Sequence, residues 1–391
     1  MNWHIAAKTS RTMRFYLLLI CLSYSLIVSG QAAQSPERHQ IQSLHYKINS
    51  KRTGKAKQVT SMDEIATPSK DLKESNSADM EMERNSKVNV NMSELDWLNL
   101  YQEQRNASLS DDGKIDIQER KVLTALANES QASKPNSFAA NYLLLRQNRN
   151  NNKAQSYFTS ASQLNPTSAL LPAEAAWLAE RKFEYHSLNK ALIALKANGT
   201  ISNFQSAYAR WIIDALPEGS LLVTNGEFDT YPVWEQLKNK KIHIISLAMI
   251  EDKEWLTDKL KAWDPTITDT PASETAFFNT LLSSSKPSFL SLTLRQDILQ
   301  LYQSNLFPVG PMCRFARAPQ DNVEQLKGFY AQKNMISFLE SSNWKYDTYS
   351  VLAKNLLPGL DALMHWKGIS EVEKTQLEKL QNVINTSLSN R

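Results

Sequence analysis

Apolar and polar positions divide the chain into five segments of different character. Residues 1–30 contain one continuous apolar run, and residues 31–92 show no apolar period. Apolar positions recur at helical spacing in residues 93–216, form short runs between amphipathic stretches in residues 217–322, and return to helical spacing in residues 323–391. A period of three to four residues predicts helices, and short β-prone runs predict buried strands. We therefore predict a helical-repeat module, a small α/β module and a C-terminal helical segment.

The first segment has the pattern of an export signal. Lys8, Arg11 and Arg14 precede an apolar run of 14 residues that ends at Val28. This run is too short for a membrane-spanning helix, which needs about 20 residues. Small residues follow it, so our interpretation is a signal peptide cut near Gly30, with an uncleaved anchor as the alternative. The protein is therefore predicted to be exported and to lie in the periplasm or elsewhere in the cell envelope.

The second segment, residues 31–92, is predicted to be a disordered tether. Residues 58–92 are rich in Lys, Ser, Asn, Asp and Glu and contain no aromatic side chain. A segment of this composition cannot bury enough apolar surface to offset the conformational entropy lost on ordering. The tether would connect the export signal to the folded part of the protein.

The third segment, residues 93–216, is predicted to be a helical array. Ser93 is a candidate N-cap for its first helix. Helices are expected over residues 93–101, 117–126, 138–147, 154–164, 169–179, 186–196 and 204–216. Helices joined by short polar turns resemble tetratricopeptide-like repeats. Because the period is irregular, an ordinary helical bundle is the alternative.

The loop between the first two predicted helices has part of the spacing of a calcium-binding EF-hand. Gly113, Ile115 and Glu119 stand at matching positions, but Ser108 and Ser110 occupy the places of the first two carboxylates. A helix–helix turn with Gly113 in a left-handed conformation is therefore the favoured interpretation. The histidines are scattered without ligand spacing, and we predict neither a metal site nor a cofactor.

Three short apolar runs in the fourth segment predict a small sheet. They cover residues 219–225, 241–247 and 288–293, and helices are expected between them over residues 229–237 and 250–263. Strands that alternate with helices are typical of a parallel, Rossmann-like sheet. The fifth segment, residues 323–391, is predicted to be helical and has no obvious site.

The most distinctive stretch is Leu222-Val-Thr-Asn-Gly-Glu-Phe-Asp-Thr-Tyr-Pro-Val-Trp234, which we call the turn motif. It resembles the TNGDNDTYPLW signature in a soluble region of bacterial membrane proteins that are similar to protein O-mannosyltransferases. Related standalone exported proteins carry helical repeats before the same signature. Segments over residues 242–247, 255–260, 286–293 and 305–310 resemble the rest of that region.

Two differences limit what the resemblance implies. Glu227 replaces the first Asp of the signature and Phe228 replaces its Asn, so the polar cluster is thinner. The sequence also contains no multi-spanning region. The transferase-like chemistry of the large relatives would lie in those spans and is therefore not expected here.

The turn motif supplies the candidate binding residues. These are Asn225, Glu227, Asp229, Thr230 and Tyr231. Ligands bind at the carboxyl ends of strands in open α/β sheets. Two carboxylates oppose a phosphate, so a cation, a hydroxyl-rich sugar or a basic peptide fits better. The alternative is a folding element, in which Asn-Gly forms a turn, Asp229 or Thr230 caps a helix and Pro232 lies in its first turn.

Composition excludes several functional classes. The formal net charge is +4, and three of the cations precede the apolar run, so the mature chain has no electrostatic footprint for nucleic acid. Cys313 is the one cysteine outside the signal and is predicted to be a core residue. No catalytic constellation stands out, which favours a protein that is not an enzyme.

We therefore predict a non-catalytic interaction or scaffold module of the cell envelope. Its partner would be an envelope protein or peptide, with a membrane protein as one candidate. A sugar-binding accessory, or a component related to glycosyl transfer, is the alternative.

Overall fold

A computed structural model describes residues 92–108, 117–237, 240–318, 320–331, 335–341, 352–366 and 368–389. The predicted signal peptide, the tether up to residue 91 and loop residues 109–116 lie outside the described residues. The described residues belong to two compact units, one ending at Ser168 and one beginning at Ala169. The described part of the chain is mostly helical, with a small five-stranded mixed sheet.

Four helices make up the described part of the first unit. They are α1 (Glu94–Ser108), α2 (Ile117–Ser133), α3 (Phe138–Gln147) and α4 (Ala154–Leu164). The predicted bounds of the third and fourth helices are confirmed. Trp97 and Tyr101 of α1 pack with Leu123 and Leu126 of α2 and Leu143 of α3 in a buried cluster. This cluster forms because apolar residues recur at helical spacing on each of the three helices.

Ser93 is confirmed as the N-cap of α1. Its hydroxyl oxygen accepts the backbone N–H of Asp96 at 3.2 Å, and the Asp96 carboxylate accepts the backbone N–H of Ser93 at 2.8 Å. This reciprocal pair satisfies two backbone donors that a helix start leaves without partners.

The second unit contains the sheet and the remaining described helices. In chain order they are α5 (Leu171–Arg181), α6 (Tyr185–Ala197), α7 (Asn203–Ala215), β1 (Leu221–Thr224), α8 (Glu227–Leu237), β2 (His243–Ser246), α9 (Lys253–Trp263), α10 (Glu274–Ser283), β3 (Ser288–Ser291), α11 (Gln296–Leu301), β4 (Leu306–Pro308), β5 (Met312–Phe315), α12 (Val323–Tyr330), α13 (Met335–Ser341), α14 (Leu357–Met364) and α15 (Glu371–Ser389). Short 3₁₀ helices cover Leu247–Met249 and Gln303–Asn305.

The sheet has the strand order β2–β1–β3–β5–β4. The three predicted strands are confirmed, and β1 pairs in parallel with β2 and β3, so that Val223 lies opposite both Ile245 and Leu290. β5 runs antiparallel to β3 and β4, which makes the sheet mixed. The turn between β4 and β5 contains Gly310 at a φ of 71°, a left-handed conformation that glycine adopts without strain.

One hydrophobic core joins helices and sheet in the second unit. Its members extend from Ala176 on α5, through Leu222 on β1, to Ile384 on α15. Large side chains such as Trp263 are completely buried in it, and each such burial contributes about 1.5–3 kcal/mol. Cys313 on β5 is buried, as predicted. The module boundaries near residues 216 and 322 stay predictions, although one core extends across both positions.

Candidate functional site

The turn motif runs from the end of β1 through a tight turn into α8. Thr224 is the last residue of β1, and Gly226 precedes the helix, which begins at Glu227. The prediction that α8 starts at Asp229 is therefore wrong by two residues. As a consequence Pro232 lies inside the helix, not in its first turn.

Asp229 fixes the geometry of this turn. Its carboxylate accepts the backbone N–H groups of Gly226 and Asn225, both at 2.9 Å, and the hydroxyl of Thr293 beyond β3. An acidic residue at the third helical position that reaches back to the N-cap N–H forms the second half of a capping box. The helix dipole also favours a negative charge there. Burial raises the pKa of Asp229, and the hydrogen bonds from Thr293, Gly226 and Asn225 oppose that shift.

Buried hydroxyl groups occupy the carboxyl ends of the three parallel strands. Thr224 ends β1, Ser246 ends β2 and Ser291 ends β3. The oxygens of Thr224 and Thr230 lie 2.7 Å apart, and the Thr230 hydroxyl donates to Ser246 at 3.2 Å. Ser291 contacts Thr293 at 2.7 Å. At the strand ends that bind ligands in open α/β sheets, hydroxyls thus connect β1 to β2, and Thr293 connects the end of β3 to the Asp229 carboxylate.

The proline inside α8 is accommodated by a side chain from α7. Because Pro232 has no N–H, the carbonyl of Phe228 lacks its usual helical donor. The Gln205 side-chain amide donates to that carbonyl at 3.0 Å. The same side chain accepts the backbone N–H of Ser202 at 2.9 Å and so completes the capping box of α7. Gln205 therefore ties the start of α7 to the interrupted turn of α8.

The five candidate residues point in different directions. Asp229 contacts the backbone of Asn225, whereas Thr230 faces the hydroxyls at the sheet edge. The Tyr231 hydroxyl donates to the carbonyl of Ala173 on α5 at 2.9 Å. Asp229, Thr230 and Tyr231 are buried, and Asn225 and Glu227 are half-buried. The structure does not bring all five side chains together around one open cleft.

Two residues of this site were missed by the sequence analysis. Thr293 is the last residue of the third predicted strand and lies two residues beyond the end of β3, so the meeting of parallel strand ends is a signal that could have found it. Gln205 lies on a helix far from the turn motif in sequence, and only the capping pattern after Ser202 marks it.

Comparisons with known proteins give no family: no family model, no curated protein and no solved structure matches this chain. In the part of the chain that the structure describes, no group of three or more His, Cys, Asp or Glu side chains is arranged to hold a metal ion. Among the described helices, none is both long and apolar enough to cross a membrane.

Proposed function

We propose that this chain is an exported protein of the cell envelope whose folded part is a non-catalytic interaction module. The observation that supports this most directly is the use of the turn motif by the fold itself. Asp229 is engaged by Thr293 and two backbone N–H groups, Thr230 by other hydroxyls, and Tyr231 by α5. A ligand site would instead present such groups in an accessible pocket.

The helical part supports the same proposal. α3 packs against α4 in the first unit, and α5 packs against α6 in the second. The two pairs begin at Phe138 and Leu171, 33 residues apart, which is close to the period of about 34 of tetratricopeptide repeats. We infer a tetratricopeptide-like identity for these pairs and a Rossmann-like identity for the parallel strands β1–β3. Repeat modules of this type bind a protein or peptide on their surface.

The surface of α6 offers a specific test. Tyr185 and Ile193 on this helix are large apolar side chains, 64% and 60% exposed. Leu301 on α11 is 66% exposed and serves as a matched control. The experiment is crosslinking in the intact cell envelope, comparing the wild-type chain, the double variant Tyr185→Ser/Ile193→Ser, and Leu301→Ser.

A single partner that crosslinks to the wild type and to Leu301→Ser, but not to the double variant, would support the proposal. A partner retained by the double variant would exclude the α6 surface, and no partner in any sample would contradict the interaction module.

The second test concerns the turn motif. We expect Asp229→Ala to lower the free energy of unfolding by about 2–4 kcal/mol, because three half-buried donors lose their acceptor. Glu227→Ala, in the same turn but half-buried, should cost under about 1 kcal/mol. Urea denaturation measures both.

A sugar that raises the melting temperature of the wild type and fails to do so in a folded Asp229→Asn variant would favour the sugar-binding alternative.

A further inference from the structure

A small cavity lies beside the carboxyl ends of β1 and β3, against α7 and α8. Tyr208, Thr224, Asp229 and Ser291 are among the residues that line it. Its volume is about 10 Å³. A cavity of roughly 10–15 Å³ is enough for one water molecule. The cavity therefore has room for a water but not for a sugar or a peptide side chain.

Tyr208, one of the residues that line the cavity, has a buried hydroxyl group. Tyr208 is 3% exposed, and its Oη has no partner among the described residues within strict hydrogen-bond geometry, although the Asn355 side chain lies close to it. A buried hydroxyl without a hydrogen-bond partner destabilises the fold. Burial raises the pKa of Tyr208, the Asn355 side chain opposes that shift, and the Asp229 charge adds to it. The phenol consequently keeps its proton and is available as a donor.

The oxygen atoms that line the cavity have free acceptor positions for the hydrogens of a water molecule. Thr224 has Thr230 as its partner, and Ser291 has Thr293. Each hydroxyl has one donor and two acceptor positions, so both retain capacity for another hydrogen bond. Asp229, as a carboxylate, offers about four acceptor positions, of which three are used.

We propose that this cavity binds one structural water molecule, which accepts a hydrogen bond from Tyr208 Oη and donates to the oxygens of Thr224, Asp229 or Ser291. Buried waters typically make about three such bonds and are costly to remove. The water extends the hydroxyl network from the edge of the sheet to α7. The inference concerns the interior of the fold and does not depend on the interaction partner proposed above.

The test compares two tyrosines in the same chain. The Tyr302 hydroxyl is also buried without a hydrogen-bond partner among the described residues, but Tyr302 does not line this cavity. Tyr208→Phe removes a donor that the water uses, so it should raise the unfolding equilibrium constant about two- to tenfold. Tyr302→Phe removes an unpaired hydroxyl and should leave that constant unchanged or lower it. Urea denaturation of the full chain and both variants gives the constants.

A high-resolution crystal structure of the wild-type chain provides the direct observation. One ordered water within hydrogen-bond distance of Tyr208 Oη, missing or displaced in Tyr208→Phe, is the expected result. The proposal is overturned by a dry cavity, by a direct bond from Tyr208 to a protein group such as Asn355, or by equal effects of the two tyrosine variants.

Discussion

At the scale of single residues, the turn motif depends on side chains that are distant in sequence. Asp229 could be predicted as a helix cap, because an acidic residue after Asn-Gly has a known local role. Its contact with Thr293, 64 residues away, depends on which strands become neighbours. Local patterns carry no information about that distance, so the sequence predicted the turn but not its partners.

Gln205 and Pro232 are expected to be energetically coupled. Gln205→Leu should lower the free energy of unfolding by about 1–3 kcal/mol, since it removes a cap and leaves the Phe228 carbonyl without a donor. In a Pro232→Ala background the backbone N–H at position 232 can donate to that carbonyl. The cost of Gln205→Leu should then be smaller by about 1 kcal/mol. A double-mutant cycle in urea measures the difference, and strictly additive effects would contradict the coupling.

At the scale of elements, helices were easier to predict than strands. Helical spacing persists over three turns or more, so α3 and α4 could be bounded from the sequence alone. β4 and β5 have three and four residues, and Arg314 at a half-buried position interrupts the apolar run of β5. The hairpin of β4 and β5 is stabilised by the pairing of β5 with β3, and this pairing cannot be predicted from the sequence.

A buried ion pair connects α5 to α9. Glu180 and Lys259 form it, and both are almost completely buried. Arg181 adds a second pair with Asp252 at 2.5 Å, just before α9. Burial raises the pKa of Glu180, and the charge of Lys259 opposes that shift. The pair is therefore a costly arrangement that depends on both partners.

Removing one partner of this pair should be more harmful than removing both. Glu180→Leu leaves the Lys259 charge buried alone and should cost about 3–5 kcal/mol in the free energy of unfolding. The double variant Glu180→Leu/Lys259→Met should recover most of that loss, because apolar side chains of similar volume can replace a buried pair. Denaturation of the two variants decides the question. A double variant less stable than Glu180→Leu would contradict this expectation, because it would show that apolar side chains cannot replace the pair.

The start of α15 predicts a pH dependence of stability. Ser370 and Glu373 form a capping box, and Lys327 contacts the same carboxylate at 3.1 Å. The hydrogen bonds from Ser370, together with Lys327, lower the pKa of Glu373 from 4.5 to about 2. A lowered pKa means that the ionised form stabilises the fold above pH 4.5, and that this contribution is lost as the pH falls toward 2.

The corresponding variant is Glu373→Gln. We expect the difference in the free energy of unfolding between wild type and variant to be largest above pH 4.5. This difference should close as the pH falls from 4.5 toward 2. Denaturant titrations across the range measure it. Ser370→Ala should reduce the pH-dependent part of the free energy of unfolding, since it removes the main cause of the lowered Glu373 pKa. A gap that stays constant with pH would contradict the assignment.

At the scale of the whole molecule, the described residues have two separate hydrophobic clusters. One contains seven buried residues from α1, α2 and α3, and the other includes most of the buried residues after Ala176. A small core stabilises less, because the buried fraction of surface rises with size. The sequence predicted helices on both sides of residue 168, but it gave no sign of the division there.

We expect the two units to unfold in separate transitions. Leu126→Ala, in the smaller cluster, should lower only the earlier transition, and Leu260→Ala should lower only the later one. Each deletion of a buried leucine side chain costs about 2–5 kcal/mol. Differential scanning calorimetry resolves the two steps. A single transition that both variants shift equally would mean that the units fold as one.

The turn at Asn225 also has a consequence for chemical ageing. An Asn-Gly pair deamidates when the glycine nitrogen attacks the asparagine side-chain carbonyl, which releases ammonia and forms a succinimide that water then opens. At Asn225 the Gly226 nitrogen donates a hydrogen bond to the Asp229 carboxylate. The backbone carbonyl of Asn225 accepts the N–H of Ala248 at 3.2 Å. At Asn198, on an exposed helix end, the Gly199 nitrogen donates to the carbonyl of Lys196 at 3.2 Å, but Gly199 has a φ of 80° and open space around it.

Peptide mapping by mass spectrometry after incubation in mildly alkaline buffer should therefore find deamidation at Asn198 well before Asn225. Similar rates at the two positions would contradict the protection, and Asp229→Ala should remove it at Asn225 alone. The hydrogen bonds that build the turn would then also determine how long the protein keeps its original sequence at Asn225.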